Sequence, residues 1–369
     1  MTIRALVFPE KPSQRTVRHT SEVTLHNVRH NTPLSHPANR RQGSRRALLF
    51  AGAFSLLLAG AATAVSAEDL KLAHQFAPDS LPGKSAVYFS NLVKQRTNGT
   101  TTITVIPGGS LGDERANLQQ LESGTLDLAL TGDLVISLYV KPYILVSMPF
   151  LYRDPDHALH VMNGEIGQEI GKYLVDRNKL HLVAWQYVGT RELTASRPVR
   201  TLADLKGLKL RMPPTQMWIA TWGKTGAAIA NVAFTELQLA LQTGTVNAQE
   251  NPPNFIIANK LFEVQKYLML SDHYPQMQAF FISDARYTAM KPEQRAVLEA
   301  AFRDTATWTS EQAKAAQQTD IQWLTTKGQG GMELVKPDFS GMKELVKDVP
   351  REVMGDEGPK LLTRIQAVK

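Results

Sequence analysis

The spacing of apolar residues predicts an α/β arrangement from about residue 69 onward. Residues 69–76 alternate apolar and polar positions, as a half-buried strand does, and residues 101–106 are rich in β-branched side chains. Between them, residues 82–96 have the apolar spacing of a helix. Strand, helix and strand in close succession predict a βαβ unit. A second helix over 113–122 and a strand over 126–131 are predicted to follow it.

A short pattern occurs twice along the chain. Residues 121–127 (LESGTLD) match residues 241–247 (LQTGTVN) in the order helix end, glycine, threonine, aliphatic residue, and Asp or Asn. Before the second copy, Thr235 and Gln238 have the spacing of a capping box at a helix start. This repetition predicts two similar α/β lobes with a cleft between them.

The last third of the chain is predicted to be helical. Residues 292–327 carry apolar side chains on recurring faces, over a length that exceeds most globular helices. Residues 339–368 predict shorter helices broken at Pro350 and Gly355.

The N-terminal segment has the pattern of an export signal. Arg45 and Arg46 precede an uncharged apolar run over 47–65, and small residues lead to Ala67. A membrane anchor is the alternative, but the second half of the run is Ala, Gly, Ser and Thr. We therefore expect a signal peptide cleaved after about Ala67, by either the general or the twin-arginine export route. Residues 1–43 are polar, show no periodicity and are expected to be a disordered extension.

The net charge of +7 is concentrated in that N-terminal segment. Residues 1–67 contain nine Lys or Arg and two Glu, which leaves 32 basic and 32 acidic residues in 68–369. A neutral remainder argues against a nucleic-acid partner. The chain has no cysteine, which excludes disulfides, a thiolate metal site and a lipid-anchored cysteine. We therefore expect a freely diffusing periplasmic protein whose length suits two lobes.

Two segments carry candidate ligand-binding residues. Residues 206–213 (KGLKLRMP) predict a short strand that places Arg211 at a proline-terminated end. A guanidinium matches a carboxylate with two parallel donors and stays charged in a closed cleft. Residues 241–252 predict a helix, a glycine stop, a short strand and an amide-rich turn that contains Asn251 before Pro252. The asparagine amide both donates and accepts hydrogen bonds.

Together these segments resemble the solute-binding proteins of TRAP (tripartite ATP-independent periplasmic) transporters. The resemblance extends over nearly all of 68–369 and includes residues 149–152 (PFLY) and 262–266 (FEVQK). It implies that Arg211 is the principal carboxylate clamp, that Asn251 lines the same cleft, and that Arg191 in residues 188–194 is a second arginine. From the residues alone, Arg191 would equally suit an ion pair with Glu192 or Glu236.

The same resemblance implies a two-lobed periplasmic binding protein fold with a hinge, a central ligand cleft and one long helix spanning both lobes. We expect lobe I to comprise 68–188 and 277–316, and lobe II to comprise 189–276 and 317–369. The implied partners are a small organic acid and the two TRAP membrane subunits, one small and one large.

Four further residues are candidates for the cleft. His74 and Gln75 end the first predicted strand, and the carboxyl ends of strands face the ligand crevice in α/β sheets. Phe234 aligns with an aromatic residue that packs on the ligand in the family, although a core role suits it equally. In the branch that binds sialic acid, an acidic residue stands where this chain has Gly132, and an asparagine stands where it has Pro214. Asp133 lies one position later, and these departures argue against sialic acid as the ligand.

We predict a periplasmic binding protein rather than an enzyme. Nucleophile-elbow, Walker and His-Glu-x-x-His motifs are missing from the sequence, and neither a cofactor nor a metal is expected. His157 and His160 are expected to be packed or solvated. Two alternatives remain at this point: a bilobal binding protein for an ATP-driven transporter or a sensor, and a periplasmic hydrolase or isomerase. C4-dicarboxylates, sugar acids, keto acids and aromatic acids all stay open as ligands.

Overall fold

The computed structural model describes residues 68–369, so the predicted signal peptide and N-terminal extension lie outside the described residues. The strands are β1 (Glu68–Ala73), β2 (Thr101–Ile106), β3 (Leu128–Gly132), β4 (Leu180–Ala195), β5 (Lys209–Met212), β6 (Ala228–Asn231), β7 (Ala248–Asn251), β8 (Tyr267–Ser283) and β9 (Glu333–Val335). The larger helices are α1 (Leu81–Arg96), α2 (Glu114–Glu122), α3 (Leu134–Tyr139), α4 (Pro155–Asn163), α5 (Glu165–Asn178), α6 (Gln216–Gly223), α7 (Leu237–Gln242), α8 (Pro253–Ala258), α9 (Asp284–Ala289), α10 (Pro292–Thr325), α11 (Met342–Leu345), α12 (Val349–Met354) and α13 (Glu357–Ala367). None of the helices in 68–369 is long and apolar enough to cross a membrane.

The strands form one sheet whose two halves have equivalent strand orders, read from each outer edge toward the centre. Its order is β2-β1-β3-β8-β4-β7-β5-β6, with β9 paired to β8. The first half is built from β1, β2 and β3, and the second half is built from β5, β6 and β7. Within each half the three strands are parallel to one another. The predicted βαβ unit and the predicted similarity of the two halves are therefore present.

Two long antiparallel strands join the halves. Strand β8 pairs with β3 of the first half, while β4 pairs with β7 of the second half and with β8 along much of its own length. The β4–β8 ladder shifts register between Tyr187 and Thr190, next to Gly189. Gly189 has φ +125°, a conformation that side chains disfavour. Both halves therefore share continuous strands rather than being linked by loops alone.

The predicted long helix is α10, and it packs against both halves. It contacts α1 of the first half, β4, and α8, which follows β7 of the second half. Phe302 of α10 belongs to an apolar core with Leu70 and Phe89, and Ile321 belongs to another core with Leu237. Because one rigid helix contributes to a core in each half, the prediction of a helix spanning both lobes is confirmed.

The two copies of the repeated pattern adopt the same local structure. Gly124 and Gly244 follow α2 and α7 with φ values of +72° and +71°, and each allows the chain to turn from the helix into a strand. The predicted capping box before α7 is wrong. The chain enters α7 through a 3₁₀ turn (Phe234–Glu236), and the N-cap residue Glu236 makes no side-chain capping bond. Pro350 likewise lies in the first turn of α12, where its missing N–H costs nothing, rather than breaking a helix.

Prediction for the strand crossing. A Cβ added to Gly189 would lie 2.9 Å from Cβ of Pro252 and 3.0 Å from Nδ2 of Asn254. We expect Gly189→Ala to lower the free energy of unfolding by about 2 kcal/mol, through backbone strain and overpacking, as measured by chemical denaturation. The matched control is Gly223→Ala, because nothing lies within 4 Å of a Cβ at that position. Equal stability of Gly189→Ala and the parent protein would contradict the interpretation that a side chain at position 189 strains the register shift between β4 and β8.

Candidate functional site

The parallel strands of both halves end at one cavity. Gln75 follows β1, Asp133 follows β3, Arg211 lies in β5, Phe234 follows β6 and Asn251 ends β7, and all five line the cavity. The complete lining is Gln75, Phe76, Asp113, Glu114, Arg115, Gly132, Asp133, Leu134, Arg191, Arg211, Pro213, Pro214, Thr215, Asn231, Val232, Ala233, Phe234, Asn251, Phe255, Gln276 and Gln278. Carboxyl ends of strands are the usual place for a ligand crevice in α/β sheets.

Arg211 is buried, with 2% of its surface exposed. Its Nε donates a hydrogen bond to the carbonyl of Val232 at 2.8 Å. Within residues 68–369 its two terminal nitrogens make no hydrogen bond to the protein. Burial lowers the pKa of Arg211 to about 10, which the nearby Glu250 opposes, so the guanidinium stays charged at neutral pH. The side chain is thus held by Nε and presents its two terminal nitrogens to the cavity.

Arg191 lines the same cavity, but its charge is committed to the protein. Its Nε pairs with the carboxylate of Glu250, a terminal nitrogen donates to the other carboxylate oxygen at 2.8 Å, and the remaining one donates to Gln276. Its guanidinium also lies over the ring of Trp218 at 4.8 Å from the ring centre. Arg191 therefore forms an ion pair, as the alternative interpretation expected, but its partner is Glu250 rather than Glu192 or Glu236. Strand pairing places Glu250 opposite Leu193, near Arg191, whereas Glu192 accepts backbone N–H groups of β8.

Glu250 is held ionised by its surroundings. Burial alone would raise the pKa of Glu250, but the adjacent Arg191 charge and a hydrogen bond from His273 hold it below its ordinary value. Burial lowers the pKa of His273, so a neutral imidazole can donate from Nε2 to Glu250 at 3.2 Å and accept from Ser271 at Nδ1. This buried network fixes the plane of the Arg191 guanidinium.

Asn251 and Gln75 supply amide groups from opposite halves. Asn251 is buried and donates to Oε1 of Gln249 at 2.6 Å, and Gln249 in turn donates to Thr194. The amide of Asn251 is thereby oriented with its oxygen available to accept. Gln75 is half-buried and is the second residue after β1.

Aromatic side chains close the cavity between the two halves. Phe76 follows β1 and contacts Phe234 and Phe255, with ring centres 6.2 Å and 5.5 Å apart. Nearby, a Cβ on Gly109 would lie 3.0 Å from Cγ2 of Thr235. The first and second halves therefore meet across the cleft at these points. Phe234 lines the cavity and packs against other aromatic rings, and its packing on a ligand stays a prediction.

Two buried carboxyl groups line the first-half side of the cavity. Asp133 accepts a hydrogen bond from Gln276 at 3.2 Å, and its second oxygen has no protein partner within 68–369. Glu114 accepts a hydrogen bond from the backbone N–H of Gly132. Burial, with a smaller contribution from the neighbouring Asp133, raises the pKa of Glu114 to about 7. Burial also raises the pKa of Asp133 above its ordinary value.

His74 does not belong to the cavity lining. Its side chain is buried, and Nδ1 accepts a hydrogen bond from the backbone N–H of Phe76 at 3.2 Å. Burial lowers the pKa of His74 to about 4, so it is neutral at physiological pH. Gln75 and Phe76 lie in a bend after β1 and line the cavity, whereas His74 does not line it and its ring stacks on that of Phe76, with 5.9 Å between ring centres. His74 is thus a structural hydrogen-bonding residue in this structure.

The sequence reasoning missed Glu114 and two glutamines of β8. In the sequence Glu114 shows only the signal of an acidic residue in the first turn of a helix, a position that it does occupy. Gln276 and Gln278 are alternate polar residues in an otherwise buried strand, so they project from one face into the cavity. That period-two polar pattern was the available signal.

The two candidate histidines for a metal are packed against the C-terminus. His157 contacts the carbonyl of Ile365 through Nε2 at 3.0 Å, and His160 contacts that of Lys369 through Nδ1 at 2.8 Å. They serve to hold α4 against the end of the chain.

Comparison with known proteins gives a consistent result. The family model described as bacterial extracellular solute-binding protein, family 7, matches residues 72–356. The chain is 26% identical over 313 residues to the sialic acid-binding periplasmic protein SiaP of Vibrio cholerae, covering 85% of this chain and 97% of that protein.

Crystal structures of two TRAP periplasmic solute-binding proteins are also similar. The protein from Bordetella bronchispeptica, with density attributed to pantoate, has a TM-score of 0.77 at 30% identity, over 82% of this chain and 99% of that chain. The protein from a Polaromonas species bound to D-erythronate has a TM-score of 0.76 at 29% identity, with the same coverage. The predicted two-lobed α/β fold is confirmed.

Prediction for the buried ion pair. Glu250→Gln leaves the buried Arg191 charge uncompensated, and we expect it to lower the free energy of unfolding by about 3–5 kcal/mol, measured by urea denaturation at pH 6. Glu192→Gln is the matched control. Burial raises the pKa of Glu192 well above its ordinary value, so an amide resembles its neutral carboxyl, and a loss below about 1 kcal/mol is expected. Similar losses in the two variants would contradict the assignment of the charge pair.

Prediction for pH dependence. The unfolded chain releases the Glu114 proton near pH 4.5, whereas the folded protein keeps it to about pH 7. The folded state therefore binds more protons in this interval, and stability must fall as pH rises through it. We expect the parent protein to lose about 3 kcal/mol more than Glu114→Gln between pH 4.5 and 8. Parallel stability profiles of the two proteins would show that Glu114 is not buried in a desolvated site.

Proposed function

Because the chain belongs to the bacterial extracellular solute-binding proteins of family 7, we propose that Arg211 clamps the carboxylate of a small organic acid, which the protein captures for TRAP-type uptake. The observation that carries this proposal is the buried guanidinium of Arg211, fixed through Nε with its two terminal nitrogens turned to the cavity. A buried cation without an anionic partner is unfavourable. A ligand carboxylate supplies that partner through two charge-assisted hydrogen bonds.

The remaining lining completes a polar shell from both halves. The oxygen of Asn251 and the amide of Gln75 offer hydrogen bonds on either side of Arg211, and Arg191 is held in place by Glu250. We propose that ligand contacts to both halves offset the free-energy cost of closing the cleft, and that contact of Phe76 with Phe234 excludes water. Exclusion of water strengthens the charged hydrogen bonds.

The size of the cavity favours a small acid. Its volume is about 140 Å³, and a cavity of about 150 Å³ in another protein holds benzene. The comparison favours a small acid, such as the D-erythronate or pantoate bound or attributed in the two similar structures. Sialic acid is much larger, which agrees with the departures at Gly132 and Pro214.

We propose that the protein works in the periplasm after its signal peptide is removed near Ala67. The small and large TRAP membrane subunits would then receive the ligand from the closed form. Binding without chemical conversion is part of the proposal, since the family consists of solute-binding proteins.

The lobe boundaries also remain a proposal, with lobe I as 68–188 and 277–316, and lobe II as 189–276 and 317–369. Tyr187 pairs with Met277 across β4 and β8, so the boundaries proposed after residues 188 and 276 lie at the same level of the sheet. This agreement supports the proposed boundaries. Helix α13 packs against the 3₁₀ turn Lys141–Ser147, so the end of the chain ties the two lobes together.

Prediction for the clamp. A thermal-shift panel of D-erythronate, pantoate, D-glucuronate and succinate should contain an acid that raises the melting temperature, because it binds only the folded state. Arg211→Ala should abolish the shift and lower affinity about 100-fold, from the loss of about 3 kcal/mol of charged hydrogen bonding. Arg211→Lys, which keeps the charge and loses the paired donors, should bind with intermediate affinity.

Lys209→Ala is the matched control for this panel. Lys209 lies on the same strand as Arg211 and is exposed, so the parent shift should be retained. A full shift in Arg211→Ala would refute the clamp, and recovery of a chemically altered acid after incubation would favour an enzyme.

A further inference from the structure

We infer that the cavity selects an acid with one carboxylate and with hydroxyl groups at its other end, and that Glu114 and Asp133 discriminate against dicarboxylates. This inference rests on the proposed function, because it takes Arg211 as the carboxylate clamp. It adds a ligand class and two residues that set it.

The two buried arginines of the cavity differ in how much of their charge is available to a ligand. Glu250 already neutralises Arg191 through a two-pronged ion pair. Arg211 is therefore the one buried guanidinium of the lining in 68–369 whose charge has no carboxylate hydrogen-bonded to it. A ligand with one carboxylate balances that charge, whereas a second carboxylate enters a cavity whose other buried cation is already paired.

The Glu114 carboxyl lies in the wall of the cavity beside Gly132. Glu114 begins α2, and its side chain reaches the end of β3, where it accepts the N–H of Gly132. A Cβ on Gly132 would lie 3.1 Å from Oε1 of Glu114 and 3.3 Å from Nε2 of Gln276. The missing side chain at position 132 thus leaves the space in which the Glu114 carboxyl lies against the cavity wall.

The start of α2 is consequently occupied by the chain's own acids. Asp113 caps the helix by accepting the N–H of Ala116 at 3.0 Å, and Glu114 follows it in the first turn. Helix starts attract anions, but here that attraction is already satisfied by carboxyl groups of the protein. A ligand carboxylate approaching this side meets negative or neutral carboxyl oxygens rather than free N–H donors.

Asp133 gives the same wall a second carboxyl. Gln276 donates to one of its oxygens and accepts from Arg191, which fixes the distance of Asp133 from the committed arginine. The other oxygen is buried and has no hydrogen-bond partner in the described part of the chain. In its ionised form this carboxyl accepts a hydrogen bond from a ligand hydroxyl and repels a second carboxylate.

One further cation, Arg115, lies at the edge of the cavity. Its side chain is exposed, so solvent screens its charge. A dicarboxylate whose second carboxylate extended to the entrance of the cavity would have to pair with Arg115. In that case Arg115→Ala would weaken the binding of dicarboxylates specifically.

The experiment compares acids matched in carbon number. Dissociation constants are measured by calorimetry, using protein expressed from the full-length sequence, for D-erythronate against succinate and malate, and for D-galactonate against galactarate. We expect the tightest ligand to be a hydroxy monocarboxylate, bound at least about tenfold more tightly than its dicarboxylate partner. A dicarboxylate that binds as tightly as its partner overturns the inference.

Variants test whether the two acids are responsible. The variants are compared at pH 8, above the Glu114 pKa of about 7. Glu114→Gln then removes a negative charge and keeps the shape, and Asp133→Asn is the equivalent change at the second carboxyl; each should reduce the preference for the monocarboxylate at least about threefold. Glu122→Gln, at the far and exposed end of α2, should leave the preference unchanged. Melting temperatures of the free variants show whether each is folded. An unchanged preference in both folded acid variants overturns the assignment of these residues.

The outcomes separate this inference from the proposed function. If acids bind in an Arg211-dependent manner but dicarboxylates are preferred, or if Arg115→Ala specifically weakens the dicarboxylates, only the present inference fails. If no acid of either class binds, the proposed function fails and this inference fails with it.

Discussion

Burial of positive charge is the constraint on which this cavity depends. A guanidinium removed from water needs an anion, and the two buried arginines meet that need in different ways. Arg191 finds Glu250 on the neighbouring strand, with His273 and Gln276 fixing both partners. Arg211 finds one backbone carbonyl, and its terminal nitrogens stay directed at the cavity. The first arginine stabilises the site, and the second makes it a receptor for a carboxylate.

The sheet explains why these groups meet. Each half directs the carboxyl ends of its parallel strands to one place, and β4 and β8 run through both halves. The long helix α10 adds a second continuous link on one face of the sheet. A binding site divided between two halves that are joined by continuous strands and a helix is suited to closure by a small rotation about those elements.

The sequence predicted much of the fold because its signals are local. The sequence signals placed α1, β2 and α10 within two residues of their observed ends, and the repeated pattern predicted the two glycine caps, but the first strand was predicted three residues too long. A strand-end position singled out Arg211 and Gln75, and the amide-rich turn after a short strand singled out Asn251. His74 was included because the predicted strand end did not show which of the neighbouring residues line the cavity. Glu114 was missed because its helix-start signal says nothing about which cavity the helix faces.

The sequence by itself thus predicted the first βαβ unit, the long helix, the two similar halves and the arginine at a strand end, all of which follow from residues close together in the chain. Only the tertiary structure decided which arginine is free. The pairing of β4 with β7 places Glu250 beside Arg191, and the space left by Gly132 admits the carboxyl of Glu114. Such pairings join residues far apart in the chain, so they exist only once the sheet has set the distances between them.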